Sequence, residues 1–200
     1  MQDLTLVIPA KHESESLPIF LKEINHFLCK KIIVLDENDL KTIDAIKNFN
    51  EIEILYQKKI GYGSALIEGI NSVNTTFFCI INADGSMNPS YLPSMLEKVK
   101  NNNLDFLFAS RYEKNCSSDD DTIVTYMGNF IFTIIGKLFF SLKITDILYT
   151  FVIGDTTKVK NLNLKSKDFV LCVELPIISK KNNLKVGTSK SNERARIGGK

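Results

Sequence analysis

Five short apolar runs, each ending in a polar, acidic or glycine-bearing turn, dominate the first 112 residues. They cover 4–10, 31–35, 52–57, 77–81 and 106–109. Each suits a strand, and 77–81, too short for a helix, suits one buried on both faces. Helical patterns separate them. The first is capped by Ser14 or Ser16, tolerates Pro18 in its first turn, and carries a stripe of Phe20, Ile24, Phe27 and Leu28. Others cover 42–49, 61–73 and 91–101. Alternating strand and helix predict an α/β fold, a mostly parallel sheet flanked by helices. The 200 residues, 44% hydrophobic and 24% charged, suit a single domain with a proper core.

In such a sheet the C-terminal strand ends gather along one edge, where α/β proteins bind ligands. Here those ends deliver Glu13, then Asp36 and Glu37, then Gly61 and Gly63, then Asp84, then Arg111. One acidic turn means little; five such ends point to a site. The most pointed is 75–89, TTFFCIINADGSMNP, where an apolar run gives way abruptly to Asn82-Ala83-Asp84-Gly85-Ser86. With Ala83 between them, Asn82 and Asp84 point the same way on an extended backbone. Two oxygen-bearing side chains there make a seat for a hard cation such as Mg²⁺. Taken alone, Asp84-Gly85 reads first as an ordinary turn signal. Gly61-Tyr62-Gly63-Ser64 is neither GxGxxG nor a P-loop. Its glycines either turn the chain into a helix or let backbone approach a nucleotide at the helix N-terminus.

The net charge of +2 is uneven: residues 158–200 carry +8 and residues 1–157 carry −6. A basic segment beside an acidic body suits an anionic partner such as phosphate or a membrane surface, or else a solvated lysine-rich face. Cys29, Cys79, Cys116 and Cys172 have no metal-ligand spacing; three of them lie in apolar patterns and fit packed thiols in a reducing compartment. No signal peptide is visible, and the apolar stretch 130–142 is short for a bilayer and interrupted by Lys137, so the expectation is a cytoplasmic protein. Residues 122–142 read as one helix, in the core first, or else lying on a membrane surface. Asp146 and Glu174 sit in apolar stretches, where an acid binds a cation or basic partner or caps a turn. The tail 193–200, ERARIGGK, either wraps a phosphate or is an unstructured basic end.

In their order these motifs resemble the nucleotide-sugar glycosyltransferases of family 2, most closely the dolichyl- or polyprenyl-phosphate mannosyl- and glucosyltransferase branch. Val7-Ile8-Pro9-Ala10 with Glu13 resembles the family's VIPAxNE, and Asp36-Glu37 its Asp-Asp pair. Gly61-Tyr62-Gly63-Ser64-Ala65 is similar to GxGxA, Asn82-Ala83-Asp84-Gly85-Ser86 to DADGS, and Ser110-Arg111-Tyr112 to GSRY. Residues 146–151, DILYTF, look like DxxSGF, and 196–200 like the start of RxGGxSK. Lys11-His12, Asn82 and Tyr149-Thr150 depart from those patterns.

The resemblance implies a GT-A-like fold, with a nucleotide-sugar half at 1–112 and an acceptor half at 113–200. It implies an inverting, metal-dependent transfer from a nucleotide-diphosphate sugar to a polyprenyl phosphate or a cell-envelope glycan. Pro9, Ala10, Glu13, Asp36, Glu37, Gly61, Gly63, Asn82, Ala83 and Asp84 would hold the donor. Asp84, Asn82 and Ser86 would hold Mg²⁺ or Mn²⁺. Arg111, Arg194, Arg196 and Lys200 would draw in an acceptor phosphate. An acceptor hydroxyl would instead need a base, Asp146 or Glu174 beside the catalytic Asp84. The expected partners are that donor and acceptor, with peripheral contact at the inner face of a membrane and no nucleic acid. The alternative is a non-catalytic nucleotide-sugar-binding module. A Rossmann oxidoreductase is disfavoured, because GYGS follows the third strand and not the first.

Overall fold

A computed structural model describes residues 1–198. The strands are β1 (Leu4–Pro9), β2 (Lys30–Leu35), β3 (Glu53–Tyr56), β4 (Phe77–Ile80), β5 (Phe106–Ser110), β6 (Val152–Asp155) and β7 (Val186–Lys190). The helices are α1 (Ser16–Glu23), α2 (Leu40–Ile46), α3 (Tyr62–Ser72), α4 (Leu92–Asn101), α5 (Ile123–Phe140), α6 (Thr156–Asn161) and α7 (Leu171–Lys181). One sheet runs β3-β2-β1-β4-β6-β5-β7, parallel throughout except for β6, which is antiparallel to both neighbours. The expected mostly parallel α/β domain is therefore present. β6 and β7 were not anticipated.

Strand alternation divides the core into two layers. Leu4, Leu6 and Ile8 of β1 and Cys79 of β4 face a layer with Leu17 and Phe20 of α1 and Met95 of α4. Val7, Phe78 and Ile80 face the other, against Leu66 and Ile70 of α3. In β1, β4 and β5 residues of both faces are buried, which is why these strands read as continuous apolar runs.

α5 corrects the expectation of a core helix. It buries only Asn129, Thr133 and Gly136. Their spacing, i, i+4 and i+7, puts them on one face. Asn129 Nδ2 donates to Asp146 Oδ1 at 2.8 Å and Asn129 Oδ1 accepts from the Leu148 amide at 3.0 Å. The outward face is apolar: Ile123 is 80% exposed and Phe139 76%. A water-facing helix normally buries its apolar side and shows its polar side. α5 does the reverse. Its 18 residues, of mean hydropathy 1.6, also exceed the short apolar stretch read from the sequence, and by length and composition are enough to cross a membrane.

Candidate active site

The strand order reverses direction between β1 and β4, the place where open α/β sheets bind ligands. Backbone bonds from the Ala10 amide to Val34 O (2.8 Å) and from the Ile81 amide to Val7 O (3.2 Å) carry the ladder to the strand ends. Beyond β4 the chain turns sharply. Asp84 Oδ1 accepts from the Ser86 amide at 3.0 Å and from Ser86 Oγ at 2.8 Å, while Gly85 takes φ +74°. A side chain on Gly85 would strike Ile197, whose Cδ1 lies 2.3 Å from the position of a Cβ there. The glycine lets the C-terminal segment lie directly over the Asp84 turn.

A cleft of 410 Å³ opens at this edge, and Pro9, Ala10, Glu13, Asp36, Gly61, Asn82, Ala83 and Asp84 all line it. Eight of the ten expected donor residues thus meet. Glu37 does not: it is exposed in the turn after β2 and outside the cleft. A second chamber of 310 Å³ adjoins, lined among others by Arg111, Asp120, Asp121, Asn129 and Glu193. Tyr62, Asn82, Phe169 and Arg196 belong to both walls. The two chambers meet at those four side chains.

Gly63, the other absent donor residue, has a different role. A Cβ there would lie 2.3 Å from Ser166 O and 2.6 Å from Asp168 O, and one on Gly61 (φ +120°) would lie 2.1 Å from Lys167 O. The Ser64 amide donates to Lys167 O at 3.0 Å. The glycine turn therefore receives the chain's own 166–168 segment. Glu174 holds that segment from its other side, accepting from the Lys165 amide (3.0 Å) and the Ser166 amide (2.9 Å). Glu174 is thus a loop cap, outside both chambers, and not a base. Gly63→Ala should cost about 1–3 kcal/mol, because the crowding atoms are backbone. Thermal denaturation should show the loss, and faster hydrogen exchange at the Ser64 amide should localise it.

Asp146 is also committed. It is 1% exposed and accepts from Arg111 Nε (2.7 Å), Arg111 Nη2 (2.9 Å), the Arg111 amide (3.0 Å) and Asn129 Nδ2 (2.8 Å). Arg111 Nη1 donates to Glu193 Oε2 at 3.0 Å. Burial works against the Arg111 charge, yet Asp146 and Glu193 together hold it more firmly protonated than usual. Asp146 is therefore not a free base and Arg111 not a free phosphate ligand, since each satisfies the other. Arg194 is likewise occupied, by Glu23 (2.7 and 3.1 Å) and by Gly85 O (2.7 and 3.1 Å). Lys200 lies outside the described residues.

Arg196 remains. Its Nε is 3.1 Å from Asp120 Oδ2 and 3.6 Å from Asp84 Oδ2. Among the described residues it is the cation common to both chambers. Residues 191–198 are held in place and are no loose tail: the Arg194 amide donates to Ser86 O at 2.8 Å and the Ile197 amide to Asp84 O at 2.9 Å.

The cleft at the β1–β4 edge is acidic, with Glu13, Asp36, Asp84 and Asp168 against Lys11 and Arg196. Burial lifts the Glu13 carboxyl above its ordinary range, despite the Ser16 hydroxyl that donates to it. A diphosphate enters such a cleft only with a cation to offset the like charges. Among the described residues no three His, Cys, Asp or Glu side chains form a metal cluster. The donors present are oxygens: Asp84, the Asn82 amide and the Ser86 hydroxyl. Such a set suits Mg²⁺ or Mn²⁺ that completes its shell with ligand phosphates and water.

Sequence reasoning did not assign Tyr62, Asp120, Asp121, Asn129, Phe169 or Glu193. Glu193 left one trace, a single carboxylate inside a basic tail. Burial pushes it up, against Arg111 and the Ser118 hydroxyl.

A mostly parallel sheet with an acidic cleft at its switch point and a second chamber beside it is a GT-A-like architecture. The chain belongs to glycosyl transferase family 2, whose family model, "Glycosyl transferase family 2", matches residues 5–162. An uncharacterized glycosyltransferase of Mycobacterium tuberculosis is 29% identical over 96 residues, 48% of this chain and 43% of that relative. The match thus spans less than half of the relative's length. Among solved structures, glucosyl-3-phosphoglycerate synthase from M. tuberculosis, in complex with Mn²⁺, UDP and phosphoglyceric acid, superposes with a TM-score of 0.70 at 12% identity. It covers 96% of this chain and 71% of that one. Mannosyl-3-phosphoglycerate synthase from Rubrobacter xylanophilus gives a TM-score of 0.71 at 12% identity, over 96% and 67%. At that identity they show the shared fold.

Proposed function

We propose that this chain is an inverting glycosyltransferase using a nucleotide-diphosphate sugar, and that its acceptor is a polyprenyl phosphate or a cell-envelope glycan at a membrane surface. The observation that carries the transfer reading is the meeting of the two chambers at Asn82 and Arg196, beside Asp84. Pro9, Ala10, Glu13 and Asp36 line the nucleotide side. Residues 1–112 supply most of the donor wall and residues 113–200 most of the acceptor wall; Phe169 and Arg196 cross between them.

Asp84, Asn82 and Ser86 would hold Mg²⁺ or Mn²⁺. The bound ion would neutralise charge on the departing nucleoside diphosphate. An acceptor oxygen approaches the anomeric carbon from the second chamber, the new C–O bond forms, and the bond to the diphosphate breaks. A phosphate acceptor arrives already ionised and needs no base; Arg196 offers it a guanidinium. For a hydroxyl acceptor, Asp120, a third exposed, is the carboxylate in reach of that chamber; Asp121 and Glu193 on the same wall both lie against Arg111.

The choice of a membrane-borne acceptor over a small phosphorylated acid rests on α5. Its apolar face is uncovered, and its buried residue Asn129 lines the acceptor chamber. Lys137, Lys143, Lys180 and Lys181 lie exposed at or near its C-terminal end, with Lys181 Nζ 5.9 Å from the Phe140 ring. An apolar face bordered by lysines suits an anionic lipid surface. On this reading the protein works in the cytoplasm, at the inner face of a membrane.

The test is sugar transfer from a panel of UDP- and GDP-sugars with Mn²⁺, to polyprenyl phosphate in phosphatidylglycerol vesicles and separately to phosphoglycerate. Transfer to the vesicles is expected, with co-flotation of the protein. Phe130→Ser with Leu138→Ser should weaken flotation at least about tenfold, from the apolar area each would bury. Transfer to phosphoglycerate alone, or a dimer through α5 that leaves the vesicles free, sinks the membrane reading. Nucleotide binding with no cleavage of any donor would favour the non-catalytic module.

A further inference from the structure

Two of the positions where the chain departs from the family patterns, Asn82 and Thr150, stand 68 residues apart in sequence, yet one side chain joins them. The Tyr62 hydroxyl donates to Asn82 Oδ1 at 3.0 Å and lies 2.7 Å from Thr150 Oγ1. A phenol has one proton. With that proton on Asn82, the contact with Thr150 has to be a donation from the threonine hydroxyl. The relay is directional: Thr150 to Tyr62 to Asn82. Tyr62 is fixed at both ends, its ring stacked on Phe169 with centroids 4.7 Å apart and planes 18° apart.

An asparagine amide is two-faced, with an oxygen that binds cations and an NH₂ that repels them. A carboxylate has no such ambiguity, because either oxygen serves. We propose that Tyr62 is a positioning residue that selects the flip of Asn82, holding its carbonyl oxygen where a cation on the donor diphosphate can reach it. Thr150 supports Tyr62 by filling its acceptor lone pair, and so leaves its proton for Asn82. The chain thereby obtains an oriented neutral ligand in place of a charged one. This rests on the reading that Asn82 and Asp84 face a diphosphate-bound cation.

The experiment measures binding without turnover. Mn²⁺ binding is followed by the electron paramagnetic resonance of free Mn²⁺, and UDP and GDP binding by calorimetry with and without Mn²⁺. Tyr62→Phe keeps the ring stack and removes only the hydroxyl. It should weaken Mn²⁺-dependent nucleotide binding about tenfold, the usual loss for a residue that orients a metal ligand, and leave metal-free nucleotide binding unchanged. Thr150→Val should act in the same direction with a smaller effect. The decisive comparison is in the Asn82→Asp background, where adding Tyr62→Phe should change nothing. An equal loss in both backgrounds, or no loss in either, overturns the proposal. If the parent protein shows no Mn²⁺-dependent nucleotide binding, the underlying functional reading falls and this proposal with it. Metal-dependent binding that survives Tyr62→Phe intact overturns the role of Tyr62 alone.

Discussion

Asp84→Asn is expected to lower kcat by about 10³-fold, the scale seen when a group aimed at developing charge is removed. The substitution is nearly isosteric, and Oδ1 can still accept from the Ser86 amide and hydroxyl, so the turn survives. What disappears is the negative charge. With Asn82 already neutral, the turn would then offer a cation no carboxylate at all. The remaining acids of the cleft, Glu13, Asp36 and Asp168, would face the diphosphate with less to offset them. Nucleotide release from the preferred sugar donor, measured across a Mn²⁺ series, should collapse while far-UV circular dichroism stays unchanged. Retention of more than about a tenth of the parent rate would show that Asp84 does not anchor the diphosphate.

The turn after β4 was legible because everything that defines it is local. An apolar run stops, a polar pair separated by alanine follows, and glycine supplies the positive φ. The same holds for the strand–helix alternation from β1 to β4 and for most of the residues that line the cleft beside it. Charge was the less readable property. Composition counts Arg111, Arg194 and Asp146 as available groups. Their partners lie far off in sequence: Arg111 with Asp146 and Glu193, Arg194 with Glu23. Only the fold reveals that these charges cancel.

The missed strands failed for a different reason. β6 is four residues long and includes Gly154, and β7, VGTSK, is an edge strand with a single large apolar side chain. Neither carries the apolar alternation that marks a half-buried strand. α5 shows the limit of periodicity itself. An apolar stretch predicts a helix, but cannot say whether protein or lipid covers it. The polar ridge Asn129, Thr133, Gly136 acquires its meaning once it docks on residues 146–148.

Asp146→Ala should destabilise the protein by about 3–5 kcal/mol, because it leaves the buried Arg111 charge without its main partner. At 2–4 °C per kcal/mol for a chain of this size, Tm should fall by roughly 10 °C. Three hydrogen bonds from Arg111 and one from Asn129 are lost together, and the Asp146 side chain is wholly shielded from solvent while that of Arg111 is 11% exposed. Glu193 cannot replace Asp146, since it already accepts from Arg111 Nη1 and from the Ser118 hydroxyl. Adding Arg111→Met should recover part of the loss, for removing both members of a buried pair costs less than stranding one. Recovery should be incomplete, because the Asn129 amide and the residue-111 backbone amide still lack their acceptor. A general base would give the opposite pattern: a large fall in kcat, an unchanged Tm and no repair by the second substitution. Differential scanning calorimetry on the two single variants and the double variant separates the two roles, and a Tm within a degree or so of the parent for Asp146→Ala would return Asp146 to the list of candidate bases.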